Sequence, residues 1–275
     1  MKLLVYNDNG TINTHEIKKE LFYDASLQTH TSFISTPSKE QNALNILKSY
    51  FSNSKSILTD NSNRVLIDEL VRLNVAEFGS EHKSKTIFDR YDFTLAYYTS
   101  GSTGFPKAAL KTLDNILSEL EDLDLLLDRY KPKKIIVTVP FIHFYGSLFG
   151  LFYPLYKGID ITLKEHFLPN DLLDLIDNDS LIVTTPLYIK ALNSISSSKD
   201  LSRSIFISST APLQAEDAKI FNKKFKTDII QIFGSTESGG IAYKYNDDEL
   251  LTPLASVKIE VDSSQSLERI LSLCV

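Results

Sequence analysis

The sequence predicts an α/β fold, with largely parallel sheets flanked by helices. Two observations point to it. Between residues 93 and 233, short apolar runs rich in β-branched residues alternate with segments whose apolar residues recur at helical spacing. The composition is that of an ordinary globular chain: 275 residues, 43% hydrophobic and 23% charged, enough for one large domain or two small ones. No internal repeat or low-complexity linker interrupts the pattern, and the serine-rich stretch 194–198 reads as a short surface loop.

Residues 1–92 read as an N-terminal α/β subregion. Residues 2–6 and 11–17 flank Asn7-Asp8-Asn9-Gly10, which predicts a hairpin. Residues 38–51 and 63–73 carry helical apolar spacing, with a short strand at 56–58 between them. No chemistry is legible here; His30, Asp60 and His82 read as surface or capping residues.

From residue 93 the alternation is regular. Residues 93–96 read as a buried strand, and Leu113, Ile116, Leu117, Leu120, Leu123, Leu127 and Tyr130 fall on a helix that begins near Thr112. Strands follow at 135–139, 159–163, 181–184, 205–208 and 228–233. Helices are expected at 172–176, from Pro186 through Ile195, and at 214–225; proline suits a first helical turn, where its missing N–H costs nothing. In such sheets ligands sit beyond the carboxyl ends of the strands, so the loops after residues 98, 139, 208 and 232 are expected on one side.

Those loops hold the unusual chemistry. The first is Tyr97-Tyr98-Thr99-Ser100-Gly101-Ser102-Thr103-Gly104-Phe105-Pro106-Lys107. Glycines let the backbone turn back and present N–H groups to an anion, the hydroxyls add donors that rotate to suit, and Lys107 brings a mobile positive charge. A polyphosphate needs all three kinds of partner. No Walker loop can be laid over the stretch. The second is Gln231-Ile232-Phe233-Gly234-Ser235-Thr236-Glu237-Ser238-Gly239-Gly240; the two loops hold five of the ten glycines of the chain. The third is Val139-Pro140-Phe141-Ile142-His143-Phe144-Tyr145-Gly146, with an aromatic run to Tyr156, and the fourth is Ser208-Ser209-Thr210-Ala211-Pro212-Leu213.

Composition excludes other classes. A net charge of −6 gives no support for nucleic acid or an anionic membrane as a partner. The one basic cluster, 129–134, reads as a solvated helix end. A single cysteine, Cys274, rules out a disulfide framework and a thiolate metal cluster, and the five histidines lack H-x-x-x-H spacing. The N-terminus is too poor in apolar residues for a signal peptide and no stretch is long enough to span a bilayer, so a cytoplasmic location is expected.

The string T-S-G-S-T-G-x-P-K, Thr99 to Lys107, resembles the phosphate-binding signature of the adenylate-forming superfamily: acyl-CoA synthetases, nonribosomal adenylation domains and luciferases. The loop at 233–237 is similar to that family's Y-G-x-T-E segment, with Phe233 in place of the usual Tyr. The 208–213 loop matches the family's adenine loop in part, with Ser209 and Thr210 where glycines are usual. The resemblance runs from about 93 to 260 with the motifs in family order, and extends to Thr185-Pro186-Leu187-Tyr188 and to the stretch from Pro253-Leu254 through Val261. Lys111-Thr112 and Gly239-Gly240-Ile241-Ala242-Tyr243 are similar to the compact acyl or aryl ligases that work with carrier proteins.

The resemblance implies the large N-terminal domain of the adenylate-forming fold, with residues 93–275 as its AMP-binding core. It implies ATP and Mg²⁺, a carboxylic acid as substrate, and CoA or a phosphopantetheine carrier as thiol acceptor. Thr99, Ser100, Gly101, Ser102, Thr103, Gly104 and Lys107 would bind the β- and γ-phosphates, and Thr210, Ala211 and Pro212 the adenine. Phe233 would pack on the base, with Gly234 and Ser235 among the nucleotide-binding residues; Thr236 would contact the α-phosphate and Glu237 hold Mg²⁺, a hard ion suited to carboxylate oxygen. His143 is either a residue beside the acyl carboxylate or a packed core histidine. Phe144, Tyr145 and Phe149 either line an acyl or aryl pocket or belong to the core. The family's ribose-binding Asp in a T-G-D context and its lid domain with a catalytic Lys have no match here; Asp247, Asp248 and Asp262 lack the motif, and the tail 267–275 reads as a strand cut short. The expectation is a ligase whose adenylation is impaired without its lid; the alternatives are a nucleotide- or acyl-binding pseudoenzyme, half of a split ligase completed by a separately encoded C-terminal domain, and an interaction protein with vestigial motifs.

Overall fold

The hairpin expected at the start of the chain forms in the computed structural model, which describes residues 1–80, 85–99, 107–260 and 271–273. β1 (Lys2–Tyr6) pairs antiparallel with β2 (Ile12–Glu16), and Gly10 at φ +82° lets the turn close. α1 (Lys19–Phe22) and β3 (Thr31–Ile34) follow; neither was expected, because one is a single turn and the other mixes hydroxyls with apolar residues. α2 (Lys39–Phe51) is capped by Ser38, whose hydroxyl accepts from the Gln41 N–H at 3.2 Å. β4 (Lys55–Leu58) leads to α3 (Arg64–Arg72), capped by Asn63, and to the short β5 (Ala76–Glu77). Then come β6 (Leu95–Thr99) and β7 (Lys107–Lys111).

β7 is a strand that was not expected between the loop after β6 and the helix near Thr112. Lys-Ala-Ala-Leu-Lys has helical composition, but it pairs antiparallel with β6 from Leu95↔Lys111 to Thr99↔Lys107. Cross-strand pairing overrides local propensity. α4 (Leu113–Leu127) begins only after this return, with Thr112 and Asn115 capping each other at 3.2 and 3.1 Å.

Between residues 134 and 235 the remaining elements alternate as expected, apart from the helical turns over 144–157, and the strands over 239–260 were not expected. In order, the elements are β8 (Lys134–Val137), α5 (Phe144–Ser147), a π-helical turn at Leu148–Phe152, α6 (Tyr153–Lys157), β9 (Asp160–Leu163) and α7 (Pro169–Leu175). Next come β10 (Ser180–Thr184), α8 (Pro186–Ser194), β11 (Ile205–Ser208), α9 (Ala215–Phe225) and β12 (Ile229–Ser235). β13 (Gly239–Tyr245), β14 (Thr252–Pro253), β15 (Lys258–Glu260) and β16 (Leu271–Leu273) complete the described residues.

The chain divides into two compact units, Met1–Leu117 with Val139–His166, and Ser118–Thr138 with Phe167–Val275. The first holds a sheet in the order β5-β3-β4-β6-β7, parallel except for β7, and β1 with β2 and β9, where β1 and β9 run parallel. Phe33, Ile57, Leu66, Leu70, Phe93 and Ala96 make one of its cores. In the second, β8, β10, β11 and β12 are parallel neighbours in the order β8-β10-β11-β12, and β13 and β14 extend the sheet antiparallel. Ile136, Ile182, Phe206, Phe221, Phe225 and Ile229 lie in its core. The Phe206 and Phe221 rings meet edge to face at 4.8 Å.

Candidate functional site

In the first unit, the glycine- and hydroxyl-rich loop joins the paired ends of β6 and β7. Ser100, Gly101, Ser102, Thr103 and Gly104, and the side chains of Thr99 and Lys107, lie outside the described residues. The strands that carry the loop are firmly held. Tyr97, buried on β6, donates its phenolic O–H to Ser147 Oγ at 2.6 Å, and Ser147 Oγ in turn donates to the carbonyls of His143 and Phe144 at 3.2 and 3.1 Å. Burial pushes the Tyr97 phenol well above its ordinary range. The Tyr97 ring meets Phe144 edge to face at 5.4 Å, and the Lys111 ammonium, on β7, lies 4.6 Å over that same Phe144 ring. The strand before the loop and the strand after it therefore grip one segment, the turn that begins α5.

That turn carries His143. It leaves β8 through Val139 and Pro140, and it doubles back so tightly that a Cβ on Gly146 would lie 2.0 Å from the Pro140 carbonyl oxygen. His143 precedes α5 and keeps an exposed surface, while the protein around it still withdraws enough water to lower its pKa; Asp60 opposes that shift. Asp60 follows β4 and is itself held ionised below the usual carboxylate range by the Ser62 hydroxyl and N–H at 2.6 and 2.7 Å. Asp60 thus caps a turn, as its sequence context indicated, and also faces His143 electrostatically, which nothing in the sequence signalled. Phe144 and Phe149 are buried, and Tyr145 packs on Phe149 at 5.0 Å.

In the second unit, β11 and β12 are parallel neighbours, in register at Ser208↔Gln231, so the two loops that follow them begin side by side. Ser209 Oγ donates to the Ile232 carbonyl at 3.0 Å and ties one loop to the other. Thr210, Ala211 and Pro212 are exposed, as is the Phe233 ring, with 54% of its surface open. Thr210 has φ +80°, the left-handed region that a β-branched residue rarely enters. The glycine usual at this position in the resembled motif has a physical basis, and this chain holds a threonine there under strain.

The T-E-S sequence is the tip of a hairpin. β12 and β13 pair antiparallel, closing at Gly234↔Gly240 and Ser235↔Gly239, with an irregularity between Phe233 and Gly234. Thr236, Glu237 and Ser238 form the connection. Ser238 N–H donates to Ser235 Oγ at 3.1 Å, and Ser235 N–H donates to Ser238 Oγ at 3.3 Å. A Cβ on Gly234 would meet the Gly239 carbonyl oxygen at 2.2 Å. Glu237 is exposed at the tip and Thr236 half-buried beside it. Sequence reasoning placed these residues in a loop after a strand; it missed β13 as the returning partner, and it missed Glu119 on α4, whose carboxylate accepts the Gly240 N–H. The Gly239-Gly240 pair was the one available signal.

The structure therefore brings Thr210, Ala211, Pro212, Phe233, Gly234, Ser235, Thr236 and Glu237 together in the second unit, and places His143 and the ends of the Thr99–Lys107 loop in the first. Among the described residues no group of three or more His, Cys, Asp and Glu side chains forms a metal site by itself. Mg²⁺ needs no such cage when phosphate oxygens and water complete its shell, and one exposed carboxylate beside the hydroxyls of Ser235 and Thr236 is a hard-oxygen set that suits it. No helix among the described residues is long and apolar enough to cross a membrane.

Comparison with known proteins bears on what these loops are. The chain is 25% identical over 208 residues to a 4-coumarate–CoA ligase of Cereibacter sphaeroides, covering 74% of this chain and 50% of that one. It is 26% identical over 226 residues to a long-chain-fatty-acid–CoA ligase of Bacillus subtilis, covering 74% and 40%. Among solved structures, unliganded O-succinylbenzoate coenzyme A synthetase from Bacillus subtilis superposes with a TM-score of 0.74 at 14% identity, over 95% of this chain and 64% of that chain. ATP-bound MatB from Rhodopseudomonas palustris gives 0.70 at 17% identity, over 98% and 64%. The chain thus spans half or less of the length of these curated relatives and about two thirds of these structures, whose fold it shares. A family model described as AMP-binding enzyme matches residues 11–264, and the chain belongs to that AMP-binding family.

Proposed function

We propose that this protein binds ATP with Mg²⁺ and activates a carboxylic acid, fatty or aryl, as its acyl-adenylate for transfer to the thiol of CoA or of a phosphopantetheine carrier. The AMP-binding core is assigned to residues 93–275. The observation that carries the reading is the pairing in the second unit of an open aromatic face, Phe233, with a hairpin tip bearing Thr236 and Glu237, beside the exposed Thr210-Ala211-Pro212 loop. A flat apolar ring suits adenine, a hydroxyl suits the α-phosphate, and a carboxylate suits the metal. Membership of the AMP-binding family supports it, as do relatives named as coumarate–CoA and long-chain-fatty-acid–CoA ligases.

In this reading a substrate carboxylate oxygen attacks the α-phosphorus. The new P–O bond forms as the bond to the bridging oxygen breaks, and pyrophosphate leaves with its charge. A thiolate then attacks the acyl carbonyl, and AMP leaves with the electrons of the C–O bond. Lys107, with the hydroxyls and N–H groups of Thr99 to Gly104, holds the β- and γ-phosphates. Thr236 orients the α-phosphate, and Glu237 holds the metal, which when bound neutralises charge on the phosphate oxygens. His143, whose surroundings favour the neutral imidazole, donates one ring N–H hydrogen bond to the acyl carboxylate. The protein's part is positioning and electrostatics rather than covalent chemistry.

The test is ATP–pyrophosphate exchange by the 275-residue chain over a panel of aliphatic and aryl acids. Exchange that depends on one class of acid and is lost in Lys107→Ala supports the reading. Saturable ATP–Mg²⁺ binding with no exchange for any acid makes the chain a nucleotide-binding protein instead. Absence of ATP binding removes the reading altogether.

A further inference from the structure

Helix α4 carries a glutamate that the activity above does not use. The Gly240 N–H donates to both carboxylate oxygens of Glu119, each at 3.1 Å. The same carboxylate fills the space that side chains on β13 would need. A Cβ on Gly239, whose φ is +81°, would lie 1.5 Å from Glu119 Oε1, and a Cβ on Gly240 would lie 3.3 Å from Oε2. Gly239 therefore makes room for an acid that reaches in and takes the Gly240 N–H, while at Gly240 the nearer obstruction is Leu254 Cδ1, 2.7 Å from an added Cβ.

The place of this bond matters. Gly240 and Gly239 pair with Gly234 and Ser235, the last rungs before the tip that holds Thr236 and Glu237. A connection of three residues has little freedom of its own, and its direction is set by the two strand ends that feed it. One end is fixed by the close approach of Gly234 to the Gly239 carbonyl, and the other by the Glu119 carboxylate.

We propose that Glu119 is a positioning residue for Glu237: by clamping the start of β13 it sets the direction in which the hairpin tip offers its carboxylate to a metal-bound triphosphate. The inference rests on the reading of Glu237 given above. Charge-assisted bonds to backbone N–H are among the stronger hydrogen bonds, and groups that orient a metal ligand affect metal affinity without touching the metal. α4 also supplies its own control. Asp122, one turn further along, makes the same kind of clamp on Ser256, a residue outside the β12–β13 ladder, accepting its N–H at 3.0 Å and its hydroxyl at 2.5 Å.

The experiment uses the full chain and calorimetric binding of ATP with saturating Mg²⁺ and with chelator, beside the melting temperature and amide exchange over 235–240. Glu119→Ala is expected to weaken Mg²⁺-dependent ATP binding by roughly tenfold or more, the loss typical of removing a ligand-orienting group. Binding with chelator should move by less than about twofold, and the Gly240 amide should exchange faster. Glu119→Gln, which keeps one acceptor oxygen, should restore most of the loss. Asp122→Asn should lower the melting temperature and leave the ATP affinities as in wild type. If Glu119→Ala fails to fold, the contrast decides between Glu119→Gln, which should bind, and Glu119→Asp, whose shortened chain withdraws the acceptor and should not. Wild-type Mg²⁺-dependent affinity in Glu119→Ala or Glu119→Asp overturns the positioning role and leaves the proposed function standing, as does equal loss in Asp122→Asn. Wild-type protein that shows no Mg²⁺-dependent binding removes the proposed function and this inference with it.

Discussion

His143 and Asp60 show how a residue's role is set by what the fold puts beside it. The fold withdraws water from the imidazole and lowers its pKa, and the Asp60 charge is the group that holds that pKa up. The consequence for stability has a definite sign. A histidine whose folded pKa is below its unfolded value favours the fold fully above the unfolded value, and that contribution is lost as the pH falls through the folded one. Removing the Asp60 charge should deepen the shift. In Asp60→Asn, NMR titration of the His143 ring should give a pKa below that of the wild type, and the acid limb of the stability profile should move with it. A His143 pKa that rises in Asp60→Asn would contradict the electrostatic contact. Sequence alone singles out His143 as a candidate, because its motif marks it; it could not single out Asp60 as its neighbour, which stands 83 positions earlier and is joined to it only by the fold.

At the scale of elements, the candidate site is built from turns whose geometry excludes side chains. Gly146 lets the turn bearing His143 close onto Pro140, and Gly234 lets β12 and β13 converge. At Gly146 the obstructing atom is a backbone carbonyl oxygen 2.0 Å from an added Cβ, so no rotamer change relieves the contact. Gly146→Ala should therefore cost about 3 kcal/mol or more, the upper range of overpacking, in urea unfolding of the purified protein. A cost below about 1 kcal/mol would show that the turn opens freely and that Tyr97, Ser147 and Phe144 do not fix it. Strong periodicity made α2, α4, α9 and most parallel strands legible. The antiparallel returns, β7 and β13, were not, because Lys-Ala-Ala-Leu-Lys and Gly-Gly-Ile-Ala-Tyr become strands only through the partner across the ladder. The same reason hid Glu119, one acid among several on an amphipathic helix.

At the scale of the molecule, the order of the motifs along the chain was enough to identify the family, and the family model over residues 11–264 agrees. Fold membership leaves function to the site. The proposed function assigns Lys107 to the phosphates of ATP and Glu237 to its metal ion. Calorimetric titration of the wild type, Lys107→Ala and Glu237→Gln with ATP, each with and without Mg²⁺, tests it most directly. The account predicts saturable binding by the wild type that strengthens with Mg²⁺. It predicts a loss of roughly tenfold or more in Lys107→Ala under both conditions, the cost of removing a charged partner, and loss of the Mg²⁺ enhancement alone in Glu237→Gln. Wild-type affinities in both variants, or a wild type that binds no ATP, would contradict it.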